Sequence, residues 1–193
     1  MASVWVFIEE EDGAPATVGL ELLTKARSLG DVTVVYSGPG SDQAFATLGE
    51  HGAARVLHAD PGDALPSAPV AAAIAARCES EAPDLILFGQ TYTDRDVAGR
   101  LAARLGRSVL SNASDVELRD EAVVTTHEIS GGTQIATAEV AGEKPHIVLV
   151  RPKSFPVEPA GGGAPQVEKL DLPDVGRSAA RIVEHHVEQR EGP

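Results

Sequence analysis

Cysteine is almost missing from this sequence: Cys78 is the only one among 193 residues. A single thiol cannot close an intramolecular disulfide. Because it follows the alanine-rich run 70–77, it reads as buried filler on a helix face in preference to a nucleophile. Basic residues are also scarce. The 16 Lys and Arg face 29 Asp and Glu, for a formal charge of −13, which repels phosphate backbones and anionic membrane surfaces and excludes nucleic acid as a partner class. No run approaches the roughly 20 apolar residues of a membrane span, and the N-terminus enters an apolar segment without a basic leader. The expected location is the cytoplasm.

The usual signatures of self-sufficient chemistry are absent as well. There is no Gly-x-x-x-x-Gly-Lys-Ser/Thr loop to wrap a phosphate and no Gly-x-Ser-x-Gly nucleophile elbow. Gly38-Pro39-Gly40-Ser41-Asp42-Gln43 stands where a dinucleotide fingerprint belongs, but Gln43 replaces the third glycine, so it reads as a helix-start turn. Among His51, His58, His127, His146, His185 and His186 no pair has the i, i+4 spacing that puts two imidazoles on one helix face. Four carboxylates in Glu9-Glu10-Glu11-Asp12 would repel a triphosphate. No catalytic and no metal-binding residues are assigned.

What is present is a hydrophobic content of 42%, enough for one buried core. Short apolar runs at 3–8, 32–36, 55–58 and 85–88 alternate with helical spacing from 17 to 29, 41–51, 67–81 and 94–105. Strands alternating with helices predict an α/β fold with a doubly wound, mainly parallel sheet of the adenine-nucleotide-binding kind and a cleft at the strands' carboxyl ends. Residues 109–118, 122–128, 133–140 and 146–150 are spaced as hairpin-like strands, with turns at Arg119-Asp120-Glu121, Gly131-Gly132 and 141–144. The α/β domain is expected over 1–151. From 152 the chain is rich in Pro and Gly and too poor in large apolar residues to bury itself, so 152–193 reads as a linker or arm with an acidic tail.

Two surfaces carry candidate function. Gly89, Gln90, Thr91, Thr93, Asp94 and Arg95 leave the fourth strand at its carboxyl end and open a helix, where small hydroxyl residues and a helix N-terminus form an anion seat. Capping of that helix by Thr93 or Asp94 is the competing reading. On the same helix Arg100, Arg104 and Arg107 recur at i, i+4, i+7 as a basic stripe on an acidic protein, either a docking face or a solvated one.

The ordered set 4–9 (VWVFIE), 20–29 (LELLTKARSL), 84–105 (DLILFGQTYTDRDVAGRLAARL), 110–116 (LSNASDV), 129–136 (ISGGTQIA) and 148–156 (VLVRPKSFP) resembles the N-terminal domain of the electron transfer flavoprotein α subunit. The resemblance covers essentially the whole chain. It implies an α/β heterodimer that collects electrons from flavin dehydrogenases, such as those oxidising acyl-CoA in fatty acid β-oxidation, and passes them on through FAD. In that family FAD is held mainly by a C-terminal domain of the α subunit with a Ser-Gly-Gly-Arg-Gly type loop, while the related β subunit binds AMP. This sequence ends at Glu191-Gly192-Pro193, about where that domain would begin. No FAD ligand is therefore carried over, and FAD is expected in the complete complex but absent from this chain alone. The expected role is a scaffold and subunit-interaction domain and not an enzyme. The alternative is a stand-alone adenine-nucleotide module using the loop 89–95.

Overall fold

Side-chain alternation along the first strand decides the layering. Strand β1 (Ala2–Glu11) turns Val4, Val6 and Ile8 to one face and Trp5 and Phe7 to the other, all nearly inaccessible, so both faces must be covered. Each such large side chain contributes about 2 kcal/mol by leaving water. The structure, a computed structural model, describes residues 1–119, 122–184 and 186.

The remaining elements follow in order: β2 (Ala14–Pro15), α1 (Thr17–Leu29), β3 (Gly30–Ser37), α2 (Asp42–Glu50), β4 (Arg55–Ala59), α3 (Ser67–Glu81), β5 (Leu85–Phe88), α4 (Tyr92–Leu105), β6 (Val109–Ala113), β7 (Asp115–Arg119), β8 (Ala122–Ile129), β9 (Gln134–Glu139), β10 (His146–Val150) and β11 (Gln166–Lys169). The main sheet has the order β11-β4-β3-β1-β5-β10-β6, and every pairing along it is parallel. Leu22, Leu23 and Ala26 of α1 and Ala44 and Leu48 of α2 fill the core on one face. Val70, Ile74 and Cys78 of α3 and Val97 and Leu101 of α4 fill the other. The predicted doubly wound α/β fold is thus observed. Helix α1 passes straight into β3 at Gly30, where an added Cβ would lie 2.0 Å from the Ala2 carbonyl oxygen, so only glycine lets the two strands start together.

The second half departs from a series of hairpins. Residues 109–118, expected as one strand, divide into β6, a parallel edge strand of the main sheet, and β7, which with β8 and β9 makes a separate three-stranded antiparallel sheet. Strand β10 is parallel between β5 and β6, and all five of its residues are buried. An unbroken apolar run marks a strand covered on both faces, where a hairpin strand alternates. Gly131 and Gly132, at φ 68° and 85°, turn the chain between β8 and β9 as expected. Asp120 and Glu121 of the other expected turn lie outside the described residues.

The sheet also does not stop at 151. Few side chains in 152–165 can be buried, but the backbone of this arm is held by hydrogen bonds across α1 and α2. Lys153 N donates to Glu21 Oε2 at 2.6 Å, Glu158 N to Thr24 Oγ1 at 3.1 Å, and Ala160 N to Glu50 O at 2.7 Å. Arg27 Nη1 donates to Glu158 O at 2.8 Å. The chain then adds β11 to the edge of β4, where Glu168 pairs with Arg55 at 2.6 Å and with Arg77. Beyond it, Leu65 N donates to Ala180 O at 2.8 Å and Ile182 N to Asp63 O at 2.9 Å, tying the tail to the loop before α3. His185 and residues 187–193 of the expected tail lie outside the described residues, and His186 Nε2 lies 3.1 Å from Glu184 Oε1.

Candidate functional site at the carboxyl end of the sheet

Strand order reverses around β1, which has β3 on one side and β5 on the other. In a doubly wound sheet the crevice outside such a switch point is where ligands bind. Here it is lined by the end of β1 and the loop from β5 into α4. Strand β1 runs to Glu11 and folds back as β2 through Asp12 and Gly13, at φ 51° and 78°, a two-residue hairpin turn of the primed kind.

The carboxylates at this crevice are engaged by the protein itself. Glu10 Oε2 accepts hydrogen bonds from the Tyr36 hydroxyl at 2.9 Å and from Gly40 N at 2.7 Å. Burial, reinforced by Glu10, pushes the Tyr36 phenol well above its ordinary range. Thr91 Oγ1 donates to Glu9 Oε2 at 2.6 Å and accepts from Asp94 N at 3.0 Å, while Thr91 N donates to Asp94 Oδ2 at 3.0 Å. Thr91 and Asp94 therefore form a capping box, and α4 begins at Tyr92, earlier than the sequence suggests. The cap is Thr91, not Thr93 or Asp94, and its hydroxyl serves both the helix, through Asp94 N, and Glu9.

Asp94 is 2% exposed. Desolvation raises its carboxyl to about 6, against the hydrogen bond from Thr91 N and with help from the charges of Glu9 and Glu11. Gly89 leaves no room, since an added Cβ would lie 2.5 Å from Asp94 Oδ2 and 3.0 Å from Val18. A phosphate or pyrophosphate at the α4 N-terminus would have to displace Asp94 and face Glu9. The packing of Thr91 and Asp94 and the charge of Glu9 at the switch point therefore oppose a phosphate or pyrophosphate group there.

The remaining members of the loop point elsewhere. Gln90 and Arg95 line a separate pocket of about 350 Å³ with Ser111, Asn112 and Leu149. Thr93 is half-buried in the first turn of α4. Of the arginines, Arg100 and Arg104 are exposed on the helix, with Arg100 Nε donating to Asp96 Oδ1 at 2.8 Å. Arg107 lies past the left-handed cap at Gly106, φ 64°. Its guanidinium donates to Lys144 O at 3.0 Å and Leu105 O at 2.8 Å and pairs with Glu143 at 3.1 Å. The stripe is therefore two residues long on the helix.

Cys78 is buried on α3, and desolvation followed by the nearby charge of Glu81 pushes its thiol up to about 12. Such a thiol is not a nucleophile at neutral pH. Among the described residues no group of three or more His, Cys, Asp or Glu is placed to hold a metal ion, and no helix is long and apolar enough to cross a membrane.

Residues 4–175 match the family described as electron transfer flavoprotein domain. The chain belongs to the electron transfer flavoprotein family. The match runs past 151 and takes in the arm and β11, the last strand of the sheet. Electron transfer flavoprotein subunit alpha of Mycobacterium leprae is 34% identical over 186 residues, covering 94% of this chain and 57% of that protein. The subunit of the same name from Mycobacterium tuberculosis is 36% identical over 184 residues, covering 93% and 56%. Protein FixB of Clostridium saccharobutylicum is 31% identical over 179 residues, covering 88% and 53%. The chain spans a little over half the length of these relatives and corresponds to their N-terminal part. Within this electron transfer flavoprotein domain, sequence reasoning missed Glu9 and Glu10 as acceptors and Ser111 and Asn112 as pocket residues. Asp12-Gly13 after an apolar strand was an available hairpin signal for the first pair.

Proposed function

We propose that the chain is the N-terminal scaffold and subunit-interaction domain of an electron transfer flavoprotein α subunit. In this reading it assembles in the cytoplasm with a β subunit and with a C-terminal α domain that holds FAD. Electrons reach that FAD from flavin dehydrogenases such as those oxidising acyl-CoA. The observation that carries the proposal is a family match over a sheet whose switch point is filled by its own Glu9, Thr91 and Asp94. A domain arranged in this way offers surfaces, not a cofactor seat. This weighs against a stand-alone adenine-nucleotide module built on the loop 89–95.

One such surface is the antiparallel sheet, where Ile129 is 42% and Ile135 72% exposed near the β8–β9 turn. Large apolar side chains held in water at a protruding turn favour a protein partner over solvent. Arg100 and Arg104 supply a cationic patch for an acidic one. The test is co-expression of the full chain with the β subunit and a flavin-holding α half. A stable ternary complex on size exclusion, weakened by Ile135→Asp with the chain's own melting unchanged, is expected. Assembly of the other two components into an equally stable flavoprotein without this chain would overturn the proposal.

A further inference from the structure

The pairing of β6 with β10 contains a bulge. Leu110 pairs with Val148 and Ala113 with Val150, so Ser111 and Asn112 together oppose Leu149. Asn112 takes the extra turn at φ 65°, a left-handed conformation that Asn tolerates better than most residues, and His127 Nδ1 donates to its carbonyl at 3.3 Å. Bulges of this kind re-aim side chains at sheet edges and are enriched beside functional sites. Here the re-aimed Ser111 and Asn112 meet Gln90 and Arg95 around the pocket of about 350 Å³ floored by Leu149.

The chemistry of the pocket is one-sided. In a chain with 29 carboxylates, the Arg95 guanidinium makes no ion pair or hydrogen bond among the described residues. The neighbouring acids do not neutralise it: Asp94 is folded into the capping box and Asp96 is paired with Arg100. Arg95, Gln90, Asn112 and Ser111 bring guanidinium, amide and hydroxyl donors, and no carboxylate lines the space. We propose that this pocket, built by the β6 bulge and the start of α4, is a binding site for the oxyanion of a small ligand, a carboxylate or a phosphate group, with the ligand's apolar part on Leu149. It lies outside the switch-point crevice and does not depend on the subunit role.

The test is an NMR titration of the full ¹⁵N-labelled chain with inorganic phosphate and, separately, with succinate at constant ionic strength. The Arg95 Nε–H and the Gln90 and Asn112 side-chain amides are followed. Saturable shifts of all three with at least one anion are expected, and which anion saturates identifies the group recognised. Arg95→Gln should weaken binding by about tenfold or more, as loss of a charge-assisted bond implies. Asn112→Gly keeps the left-handed backbone and should weaken binding without changing the melting temperature. Arg100→Gln, elsewhere on the helix, should leave affinity unchanged. Shifts that rise linearly with both anions, or saturable shifts that survive Arg95→Gln, would overturn the site.

Discussion

The loop from β5 into α4 has two sides that treat their polar groups in opposite ways. On the side facing β1, Gly89, Thr91 and Asp94 are packed together, and each hydrogen bond of the capping box and of Glu9 closes within the protein. On the side facing β6, Gln90 and Arg95 hold their donors open toward a pocket with Ser111 and Asn112. The first side buries polar groups and so must satisfy them, which makes it part of the fold. The second is free to bind because little of the fold rests on it. Position at the carboxyl end of a parallel sheet is shared by both, so position by itself does not identify a site.

The largest effect that separates the two sides is in the pH dependence of stability. The Asp94 carboxyl sits at about 6 in place of its ordinary 3.8. The folded state thus binds a proton that the unfolded state has released between those values. Stability from this group is full below pH 4 and is lost as pH rises through 6. A shift of about 2 units corresponds to about 3 kcal/mol. Asp94→Asn, which imitates the protonated form, should be more stable than the parent at pH 8 by up to that amount and lose its advantage at pH 4.5, as read by denaturant melts. An equal difference at both pH values would mean that the buried charge is not the cause.

Gly89→Ala comes next. The added Cβ meets Asp94 Oδ2 and Val18, and overpacking of this kind costs about 1–3 kcal/mol. Thr91→Ala removes the cap and the hydrogen bond to Glu9 and should cost about 1–2 kcal/mol. By contrast Gln90→Ala, Ser111→Ala and Arg95→Gln on the other side should each stay within about 0.5 kcal/mol in the same melts. If Thr91→Ala were as harmless as these, the two sides would not differ as described.

The parts of this arrangement that rest on local pattern were legible in the sequence. The apolar runs of β1, β3, β4 and β5 and the helices between them announce a covered parallel sheet, and Ser41, whose Oγ accepts from Ala44 N at 3.1 Å, opens α2 where helical spacing begins. Choices made by distant residues were not legible. Three of the residues from Thr91 to Asp94 are plausible caps, and Glu9 from the far end of β1 favours Thr91. Strand β11 carries one apolar residue, Val167, and is held by the ion pairs of Arg55 and Arg77 with Glu168 and by Leu170, buried in the core directly after it. The division of 109–118 follows from the left-handed turn at Asn112 and the bulge, which no alternation of polar and apolar residues records. Arg107 kept its helical spacing in sequence, yet the helix had already ended at Gly106.

The central claim, that this domain serves a flavoprotein through its surfaces and holds no flavin at its switch point, is tested most directly by visible absorption of the purified 193-residue chain incubated with FAD and then desalted. The expected result is a colourless protein by itself and retained flavin absorbance only when the β subunit and a C-terminal α half are present. Stoichiometric yellow colour retained by the chain alone would contradict it.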